Sequence, residues 1–313
     1  MSLIALKNDF LKKRINKTEY IKKVYNSYHN LLFQYSDSIL KTDVQKIEIT
    51  SSSVKMTSKK FGVNMILPNY DHRSAPLECI NFNKYEETEL DVIMQMLPKK
   101  GNFIDIGANI GWHSLIIAKN FKKIKVYAFE PIKKTYKFLR QNIKLNSTKN
   151  IFTYNFGFFN KDKKISFYTY KEGSGNSSIK NLSKRKNVIR QTAHVKIFDD
   201  FINKNKLKVD FIKCDVEGAE LFVFLGAKKI LSKYKPIVFC EMLRKWSKKF
   251  EYHPNEIILL FKKLGYECFK ISNYVNKKKF RLKKINKITT LTKETNFFFI
   301  HKIEHLKLIK KYT

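Results

Sequence analysis

From about residue 96 onward, short apolar runs alternate with longer amphipathic ones. NFIDI (102–106), KVYAFE (125–130), VDFIKCD (209–215) and PIVFCE (236–241) are almost continuously apolar, as strands covered on both faces must be. Between them WHSLIIAKN (112–120), the segment from Pro131 to about Asn146, GAELFVFLGAKKIL (218–231) and the segment from Pro254 to Leu264 read as helices. IFTYNF (151–156), KISFYTY (164–170), ECFKI (267–271) and FFFIHK (297–302) read as further strands. Strands that alternate with helices of ten or more residues predict parallel βαβ units, hence an α/β fold with helices on both faces of one sheet. GSGNSS (173–178), between basic segments, reads as a mobile loop.

The first 95 residues follow another pattern. Residues 1–45 show helical spacing without Gly or Pro and predict one or two helices. KIEIT, VKMT and VNMIL, between 46 and 82, are short β-like runs ended by Pro68 and Pro76, and EETELDVIMQML (86–97) reads as a helix with an acidic start. The expected organisation is an N-terminal helical and β extension over 1–95, a lid or acceptor-side subdomain, followed by an α/β domain over 96–313.

Composition bounds this picture. With 313 residues, 43% of them hydrophobic, and 26 Phe and 16 Tyr, the chain can build a sizeable core, which excludes disorder through most of its length. The net charge of +36 is carried mostly by Lys, since only seven of the 63 basic residues are Arg. Lysine is a flexible point charge rather than the bidentate fork of evolved phosphate sites, so a solvated basic surface explains much of the excess. The densest run, KKKFRLKK from Lys277 to Lys284, could contact an anionic surface or polyanion. Cys79, Cys214, Cys240 and Cys268 form no CxxC pair, and the middle two sit in apolar runs as small core residues, which fits a reducing compartment. The apolar stretch at the N-terminus is too short for a signal peptide, and no run reaches the ~18 apolar residues of a membrane span. The cytoplasm is the expected location, with peripheral contact at the inner membrane surface through the lysine run.

Candidate chemistry starts with glycine. Only ten glycines occur in the chain, and Gly101, Gly107 and Gly111 fall within eleven residues. The order is apolar strand, then Asp105-Ile106-Gly107-Ala108-Asn109-Ile110-Gly111, then helix, which places a loop suited to close ligand approach at the carboxyl end of a parallel strand. Glu130 closes the next strand, where an acid can accept from two ribose hydroxyls. Such a loop could also serve a dinucleotide. It is not GxGxxG, however, and Asp105 would repel a pyrophosphate. A phosphate-free ligand with an ammonium and a sulfonium, as in S-adenosylmethionine, suits it better.

A second constellation, KCDVEGAE (213–220), follows the apolar run VDFI. Lys213, Asp215 and Glu217 stand at alternate positions, so continued extension would turn them to one side of the same crevice. Carboxylates at a helix start also cap it and complement its dipole, so a structural role stays open. Methyl transfer to a hydroxyl needs an aligned acceptor and a proton acceptor, roles open to Asp215, Glu217 and, one turn into the loop helix, His113. Glu241 is a further acid at a strand end. No His- or Cys-rich cluster marks a metal site, and no metal is expected.

FIDIGANIGWHS (103–114), AFEP (128–131) and VDFIKCDVEGAE (209–220), continued by GAELFVFLGA and PIVFCE, together resemble the FkbM family of class I methyltransferases over roughly residues 80–245. The resemblance implies a Rossmann-like class I methyltransferase fold, with a seven-stranded, mostly parallel sheet whose last strand is antiparallel. It also implies S-adenosylmethionine as cosubstrate. Asp105, Gly107, Asn109 and Gly111 would line the cofactor with Ile106, Ala108, Phe129 and Pro131, and Glu130 would hold the ribose. The stretch from Asn155 to Phe158, with Gly157, would meet adenine, and Asp215 and Glu217 would lie near the transferred methyl; Lys213, at the alternate position before them, is a further catalytic candidate. The implied reaction is O-methylation of a hydroxyl-bearing acceptor, a sugar in a glycan or polysaccharide or a natural product, with Tyr85, Tyr170 and Trp246 available as a sugar platform. Two alternatives stay open. One is an RNA methyltransferase, including ribose 2′-O chemistry, favoured by charge but lacking an Asn-Pro-Pro-Tyr signature or an RNA-binding module. The other is a non-catalytic cofactor-binding scaffold.

Overall fold

A computed structural model of the chain describes residues 1–170, 173–178, 188–277 and 279–313. The N-terminal extension begins with α1 (Leu3–Leu11) and a continuous helical run of α2 (Lys17–Val24), a π-helical turn at Tyr25–His29 and α3 (Asn30–Ile39). Ser2 Oγ accepts from the Ala5 N–H at 3.1 Å and Asn16 Oδ1 from the Glu19 N–H at 2.9 Å, so a polar residue caps each of the first two. An antiparallel sheet of β1 (Val44–Ile49), β2 (Val54–Ser58) and β3 (Asn64–Ile66) follows, then α4 (Ala75–Phe82) and α5 (Glu87–Met96). α4 corrects the expectation of β-like runs up to residue 82. Pro76 stands at its start, where a missing N–H breaks no helical bond.

β4 (Gly101–Ile106), α6 (Trp112–Asn120), β5 (Ile124–Phe129), α7 (Lys133–Leu145) and β6 (Ile151–Tyr154) form consecutive βαβ units. A second sheet then inserts, made of β7 (Gly157–Phe159), β8 (Lys163–Tyr170), β9 (Gly173–Ser178) and β10 (Val188–Ile197), in the order β7-β10-β8-β9. The GSGNSS segment is therefore a strand, β9, paired antiparallel with β8, not a loop. The main sheet resumes through α8 (Phe198–Lys204), β11 (Phe211–Cys214), α9 (Glu220–Leu225), α10 (Lys228–Tyr234), β12 (Ile237–Glu241), α11 (Arg244–Ser247) and α12 (Asn255–Lys263). It ends with β13 (Tyr266–Asn276), β14 (Lys279–Ile285), β15 (Asn296–His301) and α13 (Leu306–Tyr312). Two helices replace the single one expected over 218–231. The break falls at Gly226, where a Cβ would stand 2.6 Å from the Phe159 carbonyl oxygen, while the Asp199 carboxylate caps α10 by accepting from Lys229 and Ile230.

The main sheet has the order β14-β13-β15-β12-β11-β4-β5-β6. β6, β5, β4, β11 and β12 pair in parallel, and β15 runs antiparallel to both its neighbours, β12 and β13. This is the implied seven-strand arrangement with one more strand, β14, paired antiparallel on the edge beyond β13. β14 is most of the lysine run read as a surface contact. Phe280 and Leu282 face inward, Lys279, Arg281 and Lys283 face outward, and the Phe280 ring stacks on Tyr312 at 4.5 Å, so a period-two pattern was hidden in a charged stretch. Outward lysines also protect an exposed edge from further pairing. Lys278 lies outside the described residues.

Ile104, Ile106, Val238 and Cys240 join the core on one face of the sheet, and Phe103, Phe211, Phe239 and Phe298 join the core on the other. The extension is docked on the α6 side. Val44, Met56, Phe61, Val63 and Met65 share a buried cluster with Trp112, Leu115 and Ile116. At roughly 1.5–3 kcal/mol for each large apolar side chain buried, that contact is substantial. β3 is tied to α7 by Asn142 and Asn146, whose side-chain oxygens accept from the Ile66 and Asn64 N–H groups at 2.9 and 2.8 Å. Among the described residues no helix is long and apolar enough to cross a membrane.

Candidate functional site

Strand order reverses between β4 and β11, which places a crevice at their carboxyl ends. The loop after β4 is held open by left-handed backbone at Gly107 (φ 78°), Asn109 (φ 49°) and Gly111 (φ 97°). Gly107 is required by close approach, because a Cβ there would stand 1.8 Å from the Asp215 carbonyl oxygen. Phe129 O accepts from the N–H groups of both Gly107 and Ala108 at 3.0 Å, so the end of β5 braces the loop. Glu130 continues that brace. Its Oε2 accepts from the Asn109 N–H at 3.0 Å and its Oε1 from the Ile132 N–H at 2.8 Å. Burial pushes this carboxyl up to about 7, although both N–H groups pull the other way.

A cleft of about 660 Å³, including space open to solvent, lies between this loop and the loop after β11. Ile106, Gly107, Asn109, Glu130 and Pro131 line one side and Asp215, Val216, Glu217 and Ala219 the other. Ile132, Gly157, Phe158, Phe167 and Val195 complete an apolar end. Three carboxylates therefore face the cleft, and no Lys, Arg or His is among its described lining residues.

Behind the loop lies a buried charge cluster centred on Lys213. Its Nζ donates to Gly107 O at 3.0 Å and to Asp215 Oδ2 at 3.2 Å, and stands 3.5 Å from Asp105 Oδ1. Burial opposes its charge, but Asp215, Asp105 and Glu86 outweigh burial and hold the ammonium charged far above the usual lysine range. Asp105 also accepts from the Ser114 hydroxyl at 2.6 Å. His113 Nε2 lies 3.2 Å from Glu86 Oε2. Burial, aided by Lys213, pushes the imidazole well below its ordinary value and keeps it neutral. Burial, then Asp215, raises Glu86 to about 7. The carboxylates of Asp215, Glu217 and Glu241 lie within 4.8 Å of one another. Burial, reinforced by Asp215, pushes both Glu217 and Glu241 well above the usual carboxyl range.

A sequence profile described as the Methyltransferase FkbM domain matches residues 105–268, which is just over half of the chain. The chain belongs to the FkbM methyltransferase family. Methyltransferase 1 of Beauveria bassiana (strain ARSEF 2860) is 26% identical over 147 residues, covering 41% of this chain and 59% of that relative. The chain thus spans less than two thirds of that relative's length. Among solved structures it is similar to Methyltransferase FkbM from Methylobacillus flagellatus KT, with TM-score 0.43 and 15% identity over 74% of this chain and 55% of that one. It is also similar to M. jannaschii TYW2 in complex with AdoMet, with TM-score 0.32 and 12% identity over 83% of this chain and 84% of that one.

In this FkbM chain the fold brings Ile106, Gly107, Asn109, Glu130, Pro131, Gly157, Asp215 and Glu217 into one cleft. Five other residues named from sequence stand behind its wall. Ala108 and Phe129 are core residues, and Gly111 caps α6 where a Cβ would meet Leu139 at 2.6 Å. Asp105 is fully buried, so the expectation that it faces the ligand is corrected. Strand alternation turns Ile106 toward the cleft and Asp105 away from it, onto Lys213 and Ser114. Lys213 is 4% exposed and acts through Asp215 and Gly107. Two of the three aromatics proposed as a sugar platform have packing roles. Tyr85 packs edge-on against Trp112 at 6.1 Å, Trp246 packs beside Gly218, and the Tyr170 side chain lies outside the described residues. Ile132, Phe167, Val195, Val216 and Ala219 line the cleft without having been singled out, because apolar residues carry no chemical signal in sequence. Glu86 was read only as a helix start. Its left-handed backbone (φ 47°) and its approach to His113 come from packing of the extension.

Proposed function

We propose that this chain is an S-adenosylmethionine-dependent methyltransferase that methylates a hydroxyl, on a sugar in a glycan or on a small natural product. One observation carries the reading. In a chain of net charge +36, the described lining of the cleft holds Glu130, Asp215 and Glu217 and no basic side chain. A pyrophosphate would be repelled there, whereas a ligand with an ammonium and a sulfonium would be attracted. Each Glu130 oxygen takes one backbone N–H and keeps a second acceptor site, the pattern that two ribose hydroxyls require. Pro131, Phe158, Phe167 and Val195 offer an apolar end suited to adenine.

Bound in this cleft, S-adenosylmethionine supplies an electrophilic methyl group. The chain's own residues must then align the acceptor and take its proton. Glu86, raised to about 7 by burial and Asp215, can act as a base near neutral pH, and Glu217 lines the cleft wall where the acceptor has to be oriented. Lys213 fixes Asp215 and the loop carbonyl of Gly107, which keeps both walls of the cleft in register. Four unpaired, buried cysteines suit a cytoplasmic setting.

The test has two stages. Calorimetry should show binding of S-adenosylmethionine and of its demethylated product, with a large loss in Glu130→Ala; no binding by the unaltered chain sinks the reading. Isotope-labelled S-adenosylmethionine is then incubated with glycan, RNA and small-molecule fractions of a cell extract. Label confined to RNA overturns the acceptor assignment.

A further inference from the structure

A groove runs along the solvent face of α7, beside the cleft. Lys133, Lys137, Arg140 and Lys144 recur at helical spacing as one stripe, Lys134 flanks it, and all five side chains are exposed. At 1.5 Å per residue the stripe is about 16 Å long. Gln141 on the helix and Asn155 and Gln191 opposite it complete the groove. Asn155 joins groove to cleft, because its Nδ2 donates to the carbonyl oxygens of Glu130 at 2.8 Å and Pro131 at 3.1 Å.

Two features mark this stripe beside the cleft. Residues 131–161 hold seven Lys or Arg and no Asp or Glu. Among the described residues, none of the five cations is in an ion pair; the nearest acidic influence is that of buried Asp71 on Lys134, whose ammonium sits 3.0 Å from the centre of the Tyr70 ring. The lysine-rich β13–β14 edge is as free of acids over residues 268–293, but there Lys284 pairs with Glu267 and Lys270 with Glu294, whereas no cation of the α7 stripe is bridged among the described residues. Like charges one helical turn apart repel, and α7 has basic rather than acidic residues in its first turn, against the helix dipole. Such local conflict is expected where a ligand supplies the missing charge.

We propose that the α7 groove docks an anionic glycan, one carrying carboxylates or phosphates along its chain, and holds it beside the cleft. The groove offers four Lys point charges and one Arg, with three amide side chains suited to sugar hydroxyls. Among its described lining residues Tyr136 is the aromatic one, half-buried with its hydroxyl 3.0 Å from Thr153 Oγ1, and the nearby Tyr70 ring carries the Lys134 ammonium, so the groove presents cations and amides rather than the series of aromatic rings on which single-stranded nucleic acid stacks its bases. The proposal deepens the acceptor reading above and rests on it only for the claim that the docked chain is the one methylated.

The full chain is titrated into fluorescent polygalacturonate oligomers, with neutral dextran and an oligouridylate of matched charge in parallel, at two salt concentrations. Lys137→Glu/Arg140→Glu/Lys144→Glu should weaken polygalacturonate binding roughly 30-fold or more and flatten its salt dependence. Lys279→Glu/Lys283→Glu/Lys287→Glu, an equal change in charge on and just beyond β14, should weaken it less than about threefold. Equal losses in the two variants overturn the proposal, as does equal binding of dextran. Tighter, α7-dependent binding of the oligouridylate overturns it in favour of nucleic acid. S-adenosylmethionine binding, measured by calorimetry on the same α7 variant, should be unchanged. An unaltered chain that binds polygalacturonate through α7 but never binds S-adenosylmethionine would overturn the cofactor reading and leave the groove standing.

Discussion

Replacing Lys213 with Met should destabilise the fold by roughly 3–5 kcal/mol, the usual result of removing one partner from a buried ion pair. Lys213 is 4% exposed and Asp105 fully buried, with Nζ and Oδ1 3.5 Å apart. At an effective dielectric of about 20, that separation corresponds to an attraction of ~5 kcal/mol before desolvation is subtracted. Met nearly keeps the volume and the unbranched shape, so packing is not the variable. Without the ammonium, Asp105 keeps only the Ser114 hydroxyl, and the Gly107 carbonyl loses its donor at 3.0 Å. The sign of the pH dependence follows from the direction of the shift. A lysine held charged above its ordinary range contributes fully below about pH 10 and loses that contribution only as pH rises through the folded value, so a measurement at neutral pH captures all of it. Urea denaturation followed by circular dichroism on Lys213→Met, Asp105→Asn and the double variant isolates the pair. The double variant should be less destabilised than the sum of the singles by at least about 1.5 kcal/mol. A cost below about 1 kcal/mol for Lys213→Met, or simple additivity, would refute the claim that a buried pair holds β4 to β11.

Gly107→Ala should destabilise the fold by about 2–4 kcal/mol and abolish cofactor binding in calorimetry, because the new Cβ must displace the Asp215 backbone and adopt a left-handed φ; Gly157→Ala, whose Cβ clears Pro131 at 3.4 Å, should be milder. Glu130 is raised to about 7, so its carboxyl favours the folded state fully below the ordinary carboxyl range and loses that contribution as pH rises through about 7. Hydroxyl donors favour its charged form, so S-adenosylmethionine binding near pH 6.5 should release a proton, seen as a buffer-dependent enthalpy that Glu130→Gln removes; a buffer-independent enthalpy in the unaltered chain would contradict the ribose role. Chelator should leave cofactor binding and methyl transfer within about twofold, because Lys213 already supplies positive charge 3.2 Å from Asp215; lost turnover in a chain that stays folded would assign Asp215, Glu217 and Glu241 to a metal ion.

The parts of the fold legible in sequence are those where burial on both faces forces long apolar runs. β4, β5, β11, β12 and β15 announce themselves in this way, and the loop between β4 and α6 does so because glycine is scarce everywhere else. β10 and β14 were missed because half-buried strands in this chain carry Lys, Arg or His at their outward positions, which disguises the period of two as a charge run. The helix break at Gly226 depends on the approach of Phe159 from a distant strand, a contact no local pattern contains. The same limit applies at the site. Asp105, Asp215 and Glu217 were visible as acids, but which of them faces the cleft depends on strand alternation and on where Lys213 reaches.

Three of the ten non-glycine residues with left-handed backbone among the described residues stand at this place, one from each of three separate segments. Glu86 (φ 47°), Asn109 (φ 49°) and Glu217 (φ 54°) are non-glycine residues in the left-handed region, an arrangement that costs on the order of 1 kcal/mol each. Asn109 and Glu217 face each other across the cleft, and Glu86 enters from the extension beside His113. Keeping a carboxylate at two of them and an amide at the third, each with its backbone turned to present it, is explained if those polar groups meet a ligand or its acceptor. Glu86 reaches the carboxylates of the central sheet from the extension, carried there by α5 and its preceding turn.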